Sequence, residues 1–247
     1  MQQIPHLKEG DKVILISTAR KINKQELLPA VKVFENWGLK VVFGKNLFVE
    51  EHQFAGSTSQ RATDLQAALD NKNIKAIFCV RGGYGTVKII DLIDFSSFIQ
   101  HPKWIVGYSD VTVLHNHINQ NFNLQSLHAT MPINFQSNTK ESLNSLKRTL
   151  FGEKIKYDFE SHLLNRKGQG QGELVGGNLS IIYSLTGTQS QLNTSGKLLF
   201  LEDLDYENLS GKKKSILRLL HFVNPIMSDV DLRVIGYNDL ENVKKST

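Results

Sequence analysis

The turn Gly107-Tyr108-Ser109-Asp110 places a hydroxyl beside a carboxylate directly after the apolar run Trp104-Ile105-Val106. A serine at the tip of a strand-to-helix turn exposes its hydroxyl, and the N–H of the next residue opens the following helix. A second glycine-rich segment, Arg81-Gly82-Gly83-Tyr84-Gly85, follows another apolar run, Ile74 to Val80. Glycines leave backbone N–H groups free to approach a substrate oxygen. Two such groups aimed at one point form an oxyanion hole, where each donor contributes about 3–4 kcal/mol to acyl chemistry. The Asp110 N–H is one candidate donor. The turn is a relative of the nucleophile elbow, although Asp110-Val111 stands where G-x-S-x-G would continue.

Each piece also has a plainer reading. Ser-Asp ahead of a helix is a common N-cap. The Arg81–Gly85 loop suits a phosphate, but it lacks the P-loop lysine and the full G-x-G-x-x-G spacing.

The elements that must position these groups read as an α/β unit. Lys12 to Ser17, Lys40 to Gly44, Ile74 to Val80 and Trp104 to Gly107 read as strands. Helical stripes over 25–37 and 59–69 lie between the first three, with further helices expected over 87–93 and from Val111 onward. Such alternation predicts a parallel sheet with right-handed crossovers. Binding crevices of open α/β sheets lie beyond the carboxyl ends of the strands, so both loops belong to one end of the sheet. Composition shifts near 140–165. We therefore expect a parallel-sheet α/β N-terminal domain over 1–150 and a smaller, β-rich C-terminal domain over 151–247. In the second domain Lys197 to Leu201 reads as a strand delivering Glu202-Asp203.

The bulk numbers narrow the classes. The chain has 247 residues, 40% hydrophobic and 21% charged, within the globular range. Its net charge of +5 raises nucleic-acid binding, but Lys212-Lys213-Lys214 is the only compact basic run and reads as a solvated helix face. Nucleic acid is not an expected partner. No stretch approaches the ~20 apolar residues of a membrane span, and no signal peptide is evident, so the expected location is cytoplasmic, away from membranes. Cys79 is the single cysteine and sits in an apolar run, which reads as a buried structural thiol. The eight histidines show no metal-ligand spacing with nearby carboxylates. No metal and no cofactor is expected.

Taken in order, Gly56-Ser57, Gln60 to Leu65, Arg81 to Gly85, Gly107 to Asp110, His128 to Pro132, Gly176 to Leu179 and Leu199 to Asp203 resemble the LD-carboxypeptidase family of serine peptidases, which includes the microcin C immunity peptidases. The likeness covers roughly residues 7–205. It implies a Ser-His-Glu triad that cleaves an L,D-peptide bond and releases terminal D-alanine from cytoplasmic murein tetrapeptides. Ser109 matches the nucleophile and Glu202 the carboxylate that orients the histidine. Asp110 and Gly83 match the oxyanion donors, and Asn178 falls on the substrate side of the cleft. Dimers are common in the family, so a homodimer is an allowed state.

The chain departs from the family after Glu202. The family's histidine comes late, in a Gly-His segment. Here His221 is the only histidine beyond the glutamate; its setting reads as part of an amphipathic helix that resembles the one after the family's glutamate, and Leu232 to Gly236 resembles the strand after that. The expectation is a C-terminal domain that stops short of that segment. His115 and His117 read as helix-surface imidazoles, and His128 matches a position near the cleft that is not the triad base. Three readings stay open: a carboxypeptidase, inactive as it stands if the base is missing; a non-catalytic peptide-binding protein; and a phosphate- or nucleotide-binding α/β domain.

Overall fold

A computed structural model describes residues 3–158 and 168–203 of the chain. Five parallel strands form the main sheet: β1 (Lys12–Ile16), β2 (Lys40–Phe43), β3 (Ile74–Cys79), β4 (Trp104–Gly107) and β5 (Leu127–His128), in the order β2-β1-β3-β4-β5. β4 is wholly apolar and buried, and β1 and β3 are so apart from exposed Lys12 and Lys75 near their starts, because both faces of these interior parallel strands are covered.

Local capping chemistry places the crossover helices. Asn23 and Glu26 form a reciprocal capping box at the start of α1 (Lys24–Asn36), and Ser57 and Gln60 do the same for α2 (Thr58–Asp70). At the far end of α2, buried Lys103 donates to the carbonyls of Ala68, Leu69 and Asn71, satisfying acceptors the helix leaves open. α3 (Ser96–Gln100), α4 (Thr112–Phe122) and α5 (Lys140–Leu150) complete this part. Their apolar faces join one core that includes Phe34, Phe78, Ile105 and Leu114.

Beyond the main sheet, β6 (Leu174–Asn178) and β7 (Leu198–Glu202) pair in parallel, with α6 (Leu179–Ser184) between them. This smaller unit docks on the head of α4. Gly177 packs so closely there that an added Cβ would lie 2.6 Å from Thr112 Oγ1, and the Asn178 N–H donates to that oxygen at 3.0 Å. Gly176 is equally constrained, since its Cβ would lie 1.8 Å from the Phe200 carbonyl oxygen. The architecture is a parallel-sheet α/β core with a smaller C-terminal region.

Three local expectations change. The helix expected over 87–93 is two 3-10 turns, Thr86–Lys88 and Ile90–Leu92, in a run of β-branched residues. The polar run after Gln136 contains α5, whose buried leucines Leu146 and Leu150 are four residues apart on one face. β5 has only two residues, too few for the sequence to show a strand pattern. The expected helix around His221 and the strand over 232–236 lie outside the described residues.

Candidate active site

The chain leaves β4 at Gly107 and turns sharply. Ser109 adopts a left-handed backbone, φ +59°, one of three non-glycine residues with positive φ among those described. That conformation costs an L-residue about 1–2 kcal/mol. An N-cap does not look like this: its backbone is extended and its side chain accepts from the first turn. Here a 3-10 turn begins at Ser109 itself, and neither it nor α4 receives a side-chain cap. The strained turn leaves the Ser109 hydroxyl outside the helix's own hydrogen bonding.

Asp110 holds the turn in place. It is fully buried, and its Oδ2 accepts from the Thr86 N–H at 2.9 Å and the Thr86 hydroxyl at 2.7 Å. The Thr18 hydroxyl stands 2.8 Å from Thr86 Oγ1 and continues the chain of hydrogen bonds. Burial pushes the Asp110 carboxyl up, against the hydrogen bonds from Thr86 and Gly85 and the charge of Arg61, which pull it down. One carboxylate thus ties together the ends of β1, β3 and β4. The sequence singled out Asp110 for its backbone N–H; the side-chain role depends on a partner 24 residues away.

The glycine loop closes over the serine. A Cβ on Gly82 would lie 3.2 Å from Ser109 Cβ and 3.3 Å from Ser109 Oγ. Gly83, at φ +133°, has its α-carbon against Arg20, where a Cβ would meet Cγ at 2.6 Å. Gly85 approaches the backbone of Thr18 and Ala19. The two segments picked out by their glycines are therefore neighbours at one end of the sheet.

Glu202 reaches the same place from β7. It pairs in register with Asn178, whose N–H anchors to the first residue of α4. Burial, then the charge of Asp203, pushes the Glu202 carboxyl above the usual range, while hydrogen bonds from the Asn178 side chain and the Ser109 N–H lower it. Asn178 itself is buried and engaged: its Oδ1 caps α6 by accepting from the Ile181 N–H at 3.1 Å, and its Nδ2 donates to Asp203 at 3.0 Å.

The histidines differ from expectation. His115 and His117 are buried, 6% and 9% exposed, rather than on the helix surface. His115 Nε2 lies 2.9 Å from the Gly107 carbonyl and its Nδ1 2.8 Å from the Ser126 hydroxyl. Burial, then the neighbouring His128, holds its pKa down at about 3. It is a brace under the serine turn. His117 bonds Ser190 and stacks on Phe95. His128 ends β5 opposite Gly107, with Nε2 3.9 Å from Glu202 Oε1. None of the described histidines hydrogen-bonds Ser109; His221 lies outside the described residues. Cys79 is buried, which pushes its thiol up to about 12, a value suited to packing and not to nucleophilic attack. Among the described residues no helix is long and apolar enough to cross a membrane, and no cluster of metal-ligating side chains occurs.

A serine elbow under a glycine loop, at the carboxyl edge of a five-stranded parallel sheet and faced by a glutamate from a second small sheet, defines a class of α/β proteins. Solved structures share that architecture. The MccF-like protein from Bacillus anthracis superposes with a TM-score of 0.78 at 24% identity, over 91% of this chain and 76% of its own. The muramoyltetrapeptide carboxypeptidase from Oxalobacter formigenes gives 0.76 at 23%, over 87% and 72%. At these identities the likeness speaks for the fold.

Sequence comparison carries the assignment further. The LD-carboxypeptidase N-terminal domain profile matches residues 13–129 and the C-terminal domain profile residues 171–224. A probable murein peptide carboxypeptidase from Bacillus subtilis is 37% identical over 206 residues, 81% of this chain and 65% of its own length. The murein tetrapeptide carboxypeptidase of Pseudomonas aeruginosa is 28% identical, over 86% of this chain and 72% of its own. This chain belongs to the LD-carboxypeptidase family, and the matched region spans just under two thirds of the Bacillus subtilis relative's length.

Proposed function

We propose that this chain is a serine carboxypeptidase of the LD type, cleaving the L,D-peptide bond that holds the terminal D-alanine of cytoplasmic murein tetrapeptides. The observation that carries the reading is the left-handed Ser109, which caps no helix, beneath Gly82 and beside Glu202. In this reading the Ser109 hydroxyl attacks the carbonyl carbon of the scissile bond. The N–H groups of Asp110 and Gly83 receive the charge that develops on the carbonyl oxygen. An imidazole, which none of the described histidines presents to Ser109, takes the serine proton and returns it to the amine of the departing D-alanine. Glu202 orients that imidazole and stabilises its charged form. Water then releases the acyl group and restores Ser109. Asn178 sits at the junction of Glu202 and Asp203, on the side from which the peptide enters.

The relatives named for murein peptides support the substrate class. Incubation with a murein tetrapeptide, with released D-alanine measured, tests the reading. Release by wild type and its loss in Ser109→Ala supports it. No release, with tetrapeptide binding equal in wild type and Ser109→Ala, replaces it with the second reading, a peptide binder that keeps the cleft without the base. A nucleotide site is the weakest of the three readings, because the buried Asp110 carboxyl, bonded to the Thr86 N–H and hydroxyl, stands beside the glycine loop where a phosphate would need positive charge.

A further inference from the structure

An ionised carboxylate taken out of water is costly unless its oxygens are bonded. Glu202 is largely buried, its side chain 23% exposed, with the like charge of Asp203 beside it. The Asn178 side chain and the Ser109 N–H support the carboxylate, yet Oε1 is buried and has no hydrogen-bond partner. His128 Nε2 stands 3.9 Å from that oxygen. His128 is itself incomplete, because its Nδ1 is also buried without a partner. Its ring is packed by Tyr108, His115 and Phe200, at centroid distances of 6.2, 6.0 and 5.2 Å. His115 already commits both nitrogens to Gly107 and Ser126, so it leaves His128 with Glu202 as the acceptor in front of it. Burial holds the His128 pKa down at about 4, so near neutrality the ring carries one N–H.

We propose that His128 is a positioning residue for Glu202, its neutral Nε2–H donating to Oε1 as the third hydrogen bond to that carboxylate. An approach of about 1 Å brings the pair within hydrogen-bond distance. The strand registers allow it, since Gly107 opposite His128 and Asn178 opposite Glu202 fix both backbones. The bond keeps Glu202 ionised and pins one oxygen, leaving the other to face an imidazole. His128 acts through Glu202 and takes no proton from Ser109. The inference rests on the reading of Glu202 as the carboxylate of the site.

Carbon-13 NMR of the full chain, labelled at glutamate carboxyls and assigned with Glu202→Gln, gives the Glu202 titration directly. Asp203, Tyr108 and His115, the other titratable groups recorded around the pair, are common to all variants. In His128→Phe the Glu202 ionisation constant falls about tenfold, a rise of one pH unit. In His128→Gln, which keeps an N–H donor, it stays near wild type. An unchanged midpoint in His128→Phe, or an equal rise in both variants, overturns the proposal. If His128→Phe does not fold, His128→Leu takes its place with the same expectation. The titration needs no turnover, so its outcome is separate from that of the D-alanine assay.

Discussion

The molecule makes the turn from a parallel strand into a helix twice within one neighbourhood, and makes it in opposite ways. After β6, Asn178 is extended, φ −67° and ψ 122°, and its side chain caps α6. After β4, Ser109 is left-handed and the helix it precedes has no side-chain cap. At the first turn the polar side chain is used for structure. At the second it is released from structure, and stability is supplied from elsewhere: Asp110 below, and His115 bracing Gly107. The difference is one of backbone conformation: the extended residue caps its helix and the left-handed one does not, as the role proposed for Ser109 requires.

The contrast can be broken at several points. The largest effect belongs to Ser109→Ala, which lowers D-alanine release by ~10⁴–10⁶-fold, as for loss of a triad member. A change of only a few-fold would return Ser109 to a structural role.

Acid sensitivity comes next. With the folded pKa of His115 near 3 against an ordinary 6.5, the unfolded chain binds the extra proton first as pH falls. The contribution of neutral His115 is complete above pH 6.5, is lost progressively below it, and levels off near pH 3. Urea midpoints across that range show the slope in wild type and a shallower one in His115→Gln.

Asp110→Ala leaves the buried Thr86 N–H without its acceptor, a loss of about 1–3 kcal/mol by chemical denaturation. Asn178→Ala removes a cap and costs about 1 kcal/mol, with α6 rather than the serine turn loosening in hydrogen exchange. Smallest is Ser109→Gly, which relieves the left-handed strain and raises stability by up to about 1 kcal/mol, while Ser109→Ala does not. Equal stability of the glycine and alanine variants would remove strain from the account.

Much of this end of the sheet was legible in the sequence because its signals are local. Apolar runs marked β1, β3 and β4, and glycines marked the loops that follow β3 and β4. What was hidden depends on distant partners. Asp110 declares its carboxylate role only when Thr86 is beside it. His115 is buried because Ser126 and Gly107 satisfy both nitrogens, a pairing that helical spacing does not reveal. β5 is too short for a period-2 pattern, and α5 shows its few leucines inside a polar stretch. The N-cap and nucleophile readings of Ser109 share one sequence motif, and only φ distinguishes them.

The central claim is that the serine turn frees a reactive hydroxyl. Mass-spectrometric mapping after treatment with a fluorophosphonate, a reagent for activated serines, tests it most directly. A single adduct is expected, on Ser109, absent from Ser109→Ala and retained in Asn178→Ala. An adduct on another serine, or none at Ser109 in the folded wild-type chain, would contradict it.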